Sequence, residues 1–337
     1  MTTILQLAGL PDSNEIVLET TDETGARRFL DFNWVSPLLE TLDPSRFRHL
    51  KLLYGGAENP VSVNIRPDIV YNSISDPERC TLALDRAQHA ARSNPYPFVN
   101  PPANIPRIRP DLLCRTVAPI KGISMPHTVR LTPRSLADVR KVLETGGLTL
   151  PVLFREAAAY PEQPNHHILE TLDDLHDLER FAFDGRAFYA SDFTDYRSPD
   201  GFYRLCRFYV IGETVLPGHL ILSDRWYIRS DIEAHKDLGP KLSAVLNEEK
   251  AFLKKFQNRK FPALSLLKKQ LGLDYFAVEC AIDEKGELLL FGIDCNGHYA
   301  DGTKEQGYHS PKEIEAFNLA VEQMLLAKRY AVKANHA

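Results

Sequence analysis

The sequence predicts an α+β fold that opens with a βαβ unit. Two observations carry the prediction. Within residues 67–102 a strand, a helix and a strand follow one another, the rhythm of a parallel sheet. Residues 188–229 are then rich in strand-like runs, and the chain closes on helical patterns. No internal repeat or low-complexity segment is visible, and 23 prolines supply most of the punctuation.

Each element has a local reason. Ile16 to Leu18 and Leu50–Tyr54 read as short strands, and Pro67–Asn72 is a β-rich run ending on a polar residue. Asp76 suits a helix N-cap, Pro77 the first helical position, and Glu78 the positive end of the helix. Cys80, Leu84, Ala87 and Ala91 then share one helical face, and Tyr96–Pro102 is a strand stopped by Asn100-Pro101-Pro102. A basic, proline-studded helix is expected over Arg107–Val117, followed by the run Met125–Arg130. A second helix is expected over Ser135–Glu144, with Leu136, Val139, Val142 and Leu143 as its stripe. Leu150–Arg155 is a strand that delivers an arginine at its end. Phe188–Phe193, Tyr203–Ile211, His219–Leu222 and Trp226–Arg229 are strand candidates. Ala244–Phe256 and Glu313–Leu326 are expected helices, and Lys328–Ala337 a frayed tail.

With 337 residues, 44% of them hydrophobic, the chain can bury two or three cores, and disorder is excluded for most of it. No apolar run reaches membrane-spanning length, so no membrane segment is expected. The first residues lack a basic leader with an apolar stretch, which points to the cytoplasm. A net charge of −5 argues against a nucleic-acid partner. Cys80, Cys114, Cys206, Cys280 and Cys295 are widely spaced with no Cys-x-x-Cys pair, and read as buried, reduced thiols.

Eight segments together resemble the ATP-grasp superfamily, and most closely its RimK-type and glutathione-synthetase-type ligases and the ATP-grasp domains found with tetratricopeptide proteins. They are PDIVYNSISDPE (67–78), FVNPPANIPRIRPDLL (98–113), ISMPHTVRL (123–131), LPVLFR (150–155), DFTDYRSPDGFYRLCRFYVIGE (192–213), PGHLILSDRWYI (217–228), LGLDYFAVEC (271–280) and GELLLFGIDCN (286–296). They occur in the family's order. The resemblance implies a βαβ domain over residues 1–103, a small lobe over 104–185, and a large lobe over 186–330, with ATP clamped between the lobes. It also implies the chemistry: ATP phosphorylates a carboxylate, and an amine attacks the acyl phosphate. The enzyme's share of such a reaction is charge neutralisation and positioning by basic side chains and magnesium.

The resemblance assigns roles to particular residues. Arg109 and Arg155 fall where family members place basic residues on the nucleotide, and Asp192-Phe193 where the hinge reads the adenine edge. Arg207 matches the central-strand arginine that contacts the transferring phosphate or acyl phosphate. Arg204, an odd number of residues away, belongs to the opposite strand face. Asp195 and Asp200 are candidates for the ribose, and His219 for substrate contact or packing. The metal set falls at positions 279, 292 and 294, and here it departs from the pattern. Glu279 holds the first place, but Gly292 replaces the bridging glutamate, leaving Asp294 and Asn296 as further ligands. If Asp283 pairs with Gly286, Glu279 faces Leu290, and Asp294 lies about 13 Å further along the strand. Only a bulge or strong twist would then bring Asp294 to a shared ion.

A second departure follows the LPVLFR strand. Glu156–His167 contains no glycine, although an anion-cradling loop favours the positive φ that glycine permits. His166-His167 is read as part of an exposed loop.

The resemblance thus implies an ATP- and Mg2+-dependent ligase forming C–N bonds on a carboxylate of a peptide or amino-acid-like substrate. A rival reading is a degenerate ATP-grasp protein that binds a nucleotide, peptide or protein without turnover; phosphotransfer is a third. A homo-oligomer is left open.

Overall fold

The computed structural model describes residues 1–13, 18–21, 27–30, 37–55, 65–159, 166–228, 242–297 and 310–334. Strand β1 (Thr2–Gly9) leads to an antiparallel pair, β2 (Leu18–Thr21) and β3 (Arg27–Leu30), then β4 (Phe47–Tyr54), β5 (Ile69–Asn72), helix α1 (Thr81–Ser93) and β6 (Phe98–Val99). A parallel sheet forms from these in the order β4-β1-β5-β6. Its inner strand β1 was not anticipated, because Thr2, Thr3 and Gln6 interrupt the apolar run. Gln6 is nonetheless buried, its amide donating to Ser73 Oγ at 3.3 Å. The strand expected from Ile16 lies outside the described residues as far as Leu18.

Helix α1 begins five residues after its expected cap. The Asp76 carboxylate instead closes a separate turn by accepting the amides of Glu78 and Arg79, both at 2.9 Å. The first amides of α1, from Thr81 and Leu82, are capped by Asp12, which no local sequence signal could indicate.

After a 3-10 helix (Pro102–Ile108) come α2 (Pro110–Val117), β7 (Ile123–Ser124), β8 (Thr128–Leu131), α3 (Leu136–Thr145), β9 (Val152–Glu156), β10 (His166–Leu169) and β11 (Phe188–Asp192). Ser135 caps α3 by accepting the Asp138 amide, as its position predicts. A second, antiparallel sheet runs β10-β9-β11-β8. His166 and His167 therefore stand in a strand rather than a loop; Tyr160–Asn165 of the glycine-free segment fall outside the described residues.

The rest of the chain gives β12 (Tyr203–Ile211), β13 (Thr214–Ser223), α4 (Leu242–Phe256), α5 (Pro262–Leu271), β14 (Tyr275–Ile282), β15 (Leu288–Asp294) and α6 (Pro311–Ala334). Its sheet runs β13-β12-β14-β15-β7. Trp226–Ile228 is irregular, not a strand. The expected frayed tail is helical to Ala334: Lys328 binds both carboxylate oxygens of Asp274 at 2.8 Å, and Arg329 binds Asp68 and Thr2. No described helix is long and apolar enough to cross a membrane.

Packing divides these sheets unequally. The first and third sheets share two cores: Leu7, Val70 and α1 continue into Phe208, Phe276 and α5, while Ile4, Tyr71 and Val99 join Tyr209, Tyr275 and Phe317. Asn100 sews the two together. In the left-handed region at φ 55°, it accepts the amides of Asp274 and Tyr275 at 3.0 Å and donates to the Tyr275 carbonyl at 2.7 Å. The second sheet has a core of its own, built on Phe154, Leu178 and Phe188.

Candidate functional site

A cavity of about 330 Å³ opens between the second and third sheets. Period-two alternation builds its walls. On β9, Phe154 points into the second sheet's core, while Leu153 and Arg155 line the cavity. Leu205, Glu279 and Phe291 come from the third sheet, and Phe193, Thr194 and Tyr196 from the segment joining the sheets. Five aromatic side chains line the cavity. Phe193 meets Trp226 edge-on at 5.4 Å, and Tyr196 lies 4.6 Å from Phe291 and donates to the Trp226 carbonyl. Such a flat-walled, mostly apolar cleft suits a planar ring system.

Asp192 and Phe193 both border the cavity, but their amides are already used. They donate to the carbonyls of His127 and Pro151, and the Asp192 carboxylate accepts the Thr149 amide. Among the described residues, Thr194 carries the first amide of this segment without a partner.

Arg155 lines the same cavity. Its guanidinium lies 5.0 Å over the ring of Tyr189, and no ion pair to it occurs among the described residues. Burial lowers its pKa from the ordinary value, so its charge is short of compensation. Arg109 is placed differently. It stands at the start of α2, where Nε and Nη2 grip Asp111 at 3.2 and 2.9 Å, and it lies 3.7 Å from Glu78. It does not border the cavity.

Arg207 and Glu279 are cross-strand partners on β12 and β14, with Nη2 and Oε1 2.5 Å apart. Burial disfavours the Arg207 charge, but Glu279, Tyr209 and Asp294 outweigh it, and the group is held charged well above its ordinary pKa. Its Nε is buried without a hydrogen-bond partner among the described residues. Arg204 lies on the opposite face, bound to Asp200 and Glu248. Asp195 closes a loop turn by accepting the Arg197 amide.

The register differs from the expected one in a way that matters. The turn closes with the Asp283 amide on the Glu287 carbonyl, one residue further along than assumed. A bulge at Phe291 then adds another step, because Glu279 faces Gly292 while Cys280 faces Leu290. Asp294 consequently pairs with Ala277, only two positions from the Glu279 rung and on its face. A second bulge lies opposite Arg207, where Gly218 and His219 occupy the space of one residue. Gly218 is required there: a Cβ would lie 2.6 Å from the Tyr209 ring. Gly292 is not crowded, since a Cβ would meet nothing within 4 Å.

Asn296 donates its own amide N–H to Asp294 Oδ1 at 2.7 Å, and its side-chain NH2 to the Ser73 carbonyl and Ser75 Oγ. It thus links the third sheet to the first. No cluster of three or more His, Cys, Asp or Glu side chains suited to a metal occurs among the described residues.

One cluster was not anticipated from the sequence. Glu78 accepts Nε and Nη2 of Arg130 at 3.1 and 2.8 Å and the hydroxyl of Tyr189. These partners lie 52 and 111 residues along the chain, beyond the reach of any local pattern. His166 packs beside the cavity against Trp226 and Tyr227, at 5.2 and 4.6 Å.

No protein-family model matches the sequence, and no curated protein matches it. Solved structures do match along the whole chain. The D-alanine–D-alanine ligase of Coxiella burnetii superposes with a TM-score of 0.56 at 12% identity, covering 100% of this chain and 97% of that one. The VanG D-Ala:D-Ser ligase of Enterococcus faecalis gives 0.54 at 13% identity, with 97% and 99% covered. The D-alanine–D-alanine ligase of Bacillus anthracis, complexed with ATP, gives 0.51 at 12% identity, with 99% of each chain covered. With its three sheets in this order and a cleft between the second and third, the chain has the ATP-grasp fold.

Proposed function

We propose that this chain is an ATP-dependent carboxylate–amine ligase acting through an acyl phosphate on a peptide or amino-acid-like substrate. One observation carries the reading. Glu279, the cross-strand partner of Arg207 and with Asp294 two positions away, lines a base-sized aromatic cavity that also contains the unpaired cation Arg155, while Arg207 and Asp294 themselves do not border it. Adenine would lie among Phe193, Trp226 and Phe291, with the Thr194 amide at its edge. Arg155 would neutralise the phosphates.

A carboxylate oxygen of the substrate attacks the γ-phosphorus, and ADP leaves with the electrons of the broken P–O bond. An amine then attacks the acyl carbon, phosphate departs with the electrons of the broken acyl C–O bond, and the surplus proton on nitrogen passes to the departing phosphate or to water. Both steps build negative charge on oxygen, which a fixed guanidinium stabilises without reorganisation. Arg207 supplies that charge, held in place by its ion pair to Glu279. Glu279 and Asp294 fit magnesium, because that ion binds through one or two carboxylates together with phosphate oxygens and water. When bound, it adds positive charge at the phosphates. The Asn296 backbone amide holds Asp294 in place.

Within this fold, the order of the eight sequence segments supports a place near the RimK-type and glutathione-synthetase-type ligases. Five unpaired, buried cysteines support a reducing, cytoplasmic setting. Gly292 favours a second reading, a nucleotide-binding protein without turnover, since the bridging carboxylate is absent.

Hydroxylamine trapping separates these readings. Incubating the protein with ATP, magnesium, hydroxylamine and a panel of amino acids and dipeptides should yield a hydroxamate with stoichiometric ADP. ATP binding without hydroxamate or ADP across the panel would favour the second reading.

A further inference from the structure

We propose that Tyr189 and Glu78 form a relay that positions Arg155 for phosphate, and that Glu78 thereby acts as a positioning residue from outside the cavity. The inference rests on the nucleotide reading above and deepens it.

An arginine drawn partly out of solvent ordinarily has a carboxylate against it, which occupies its donors. Arg155 has instead the face of the Tyr189 ring, 5.0 Å from its guanidinium. A π face stabilises the cation while leaving its N–H donors uncommitted. That arrangement suits a side chain meant to bind an incoming anion.

The ring is itself fixed from behind. Tyr189 is 1% exposed, and its hydroxyl donates to Glu78, which lies in the Asp76–Arg79 turn between the first sheet and α1. Burial, then Glu78, raise the Tyr189 pKa, so the hydroxyl remains a donor. Glu78 is held by Arg130 on the neighbouring strand β8 and lies near Arg109 at the start of α2. Its charge is thus taken up by those arginines, with the tyrosine ring in contact with Arg155.

The packing gives this cluster a further consequence. The second sheet has a separate core, whereas the first and third sheets share theirs. Glu78 belongs to the first unit, and Arg130, Tyr189 and Arg155 to the second sheet. This carboxylate therefore ties the sheet that carries the phosphate-facing arginine to the unit that carries Glu279 and Arg207.

Binding measured by calorimetry with ATP, adenosine and inorganic tripolyphosphate tests the relay in the full chain. Y189F breaks the hydroxyl link and keeps the ring; E78Q removes the charge; Y189L removes the ring. The expected result is weaker ATP and tripolyphosphate binding, about tenfold for Y189L, between the scale of an exposed and of a fully desolvated cation–π contact. Y189F and E78Q should give smaller losses of the same kind, with adenosine affinity unchanged in all three. Equal loss of ATP and adenosine, or unchanged tripolyphosphate binding in every variant, would overturn the relay and leave the nucleotide reading standing. Tripolyphosphate binding that depends on Tyr189, in a protein that ignores ATP, would support the relay and overturn the nucleotide reading. Should Y189L fail to fold, Y189F and E78Q decide the matter.

Discussion

Arg207 and Glu279 face each other across β12 and β14, and a bulge on each flanking strand brackets their rung. Bulges increase local twist and re-aim side chains. Here one of them brings Asp294 to the neighbouring position on the same face, where it adds to the field at Arg207. The rung combines a held cation with two carboxylates of different duty.

Replacing Arg207 by Ala should therefore cut turnover by about 10²–10³, the usual weight of one preorganised charge donor. ATP affinity should change little, because Arg155 and the aromatic walls remain. Steady-state kinetics beside equilibrium ATP binding would check the split. An equal loss in both would assign Arg207 to ground-state binding.

Restoring an acid at position 292 should be tolerated, since the site has open space for a Cβ. G292E is expected to melt close to the parent and to bind a second divalent ion with a non-hydrolysable ATP analogue. Manganese binding followed by electron paramagnetic resonance reads this directly: one ion for the parent, two for the variant.

Asn100 predicts a large stability effect from one side chain. N100A leaves the amides of Asp274 and Tyr275 and the Tyr275 carbonyl unpaired at a buried junction. At about 1–3 kcal/mol for each unsatisfied group, a loss of several kcal/mol is expected. Urea unfolding measures it. N100G, which accommodates the positive φ, should be no better than N100A if the hydrogen bonds dominate.

Thiol chemistry gives a pH test. Burial pushes Cys80 and Cys206 up to about 12, and Cys280 and Cys295 higher than their ordinary values. Only the thiolate reacts, so these four should resist iodoacetamide at pH 8 in the native protein. All five cysteines should alkylate in denaturant, as mass spectrometry would show.

How much of this was legible in the sequence depended on how local the cause was. Strand Tyr203–Ile211 and the Ser135 cap of α3 follow from alternation and capping chemistry, which act within a few residues. The start of α1 was misplaced because its cap, Asp12, comes from 69 residues upstream. Lys328 and Arg329 read as tail until their partners Asp274 and Asp68 are brought beside them by the fold. The sequence left Asp294 out of reach of Glu279 because a bulge leaves no mark in the hydrophobic pattern. Glu78 illustrates the same limit: as an acid beside a helix it looked like a dipole partner, and only tertiary structure makes it the hub of Arg130 and Tyr189.

On the proposed reading, ATP occupies the cavity between the second and third sheets, with a divalent ion at Glu279 and Asp294. Thermal unfolding with ATP, with and without magnesium, in the parent and in E279Q, tests it most directly. A specific ligand at about 100 times its Kd stabilises by about 2.7 kcal/mol. A raised Tm with ATP in the parent, a larger rise with magnesium, and no added rise from magnesium in E279Q are expected. An unchanged Tm under both conditions in the parent would contradict that reading.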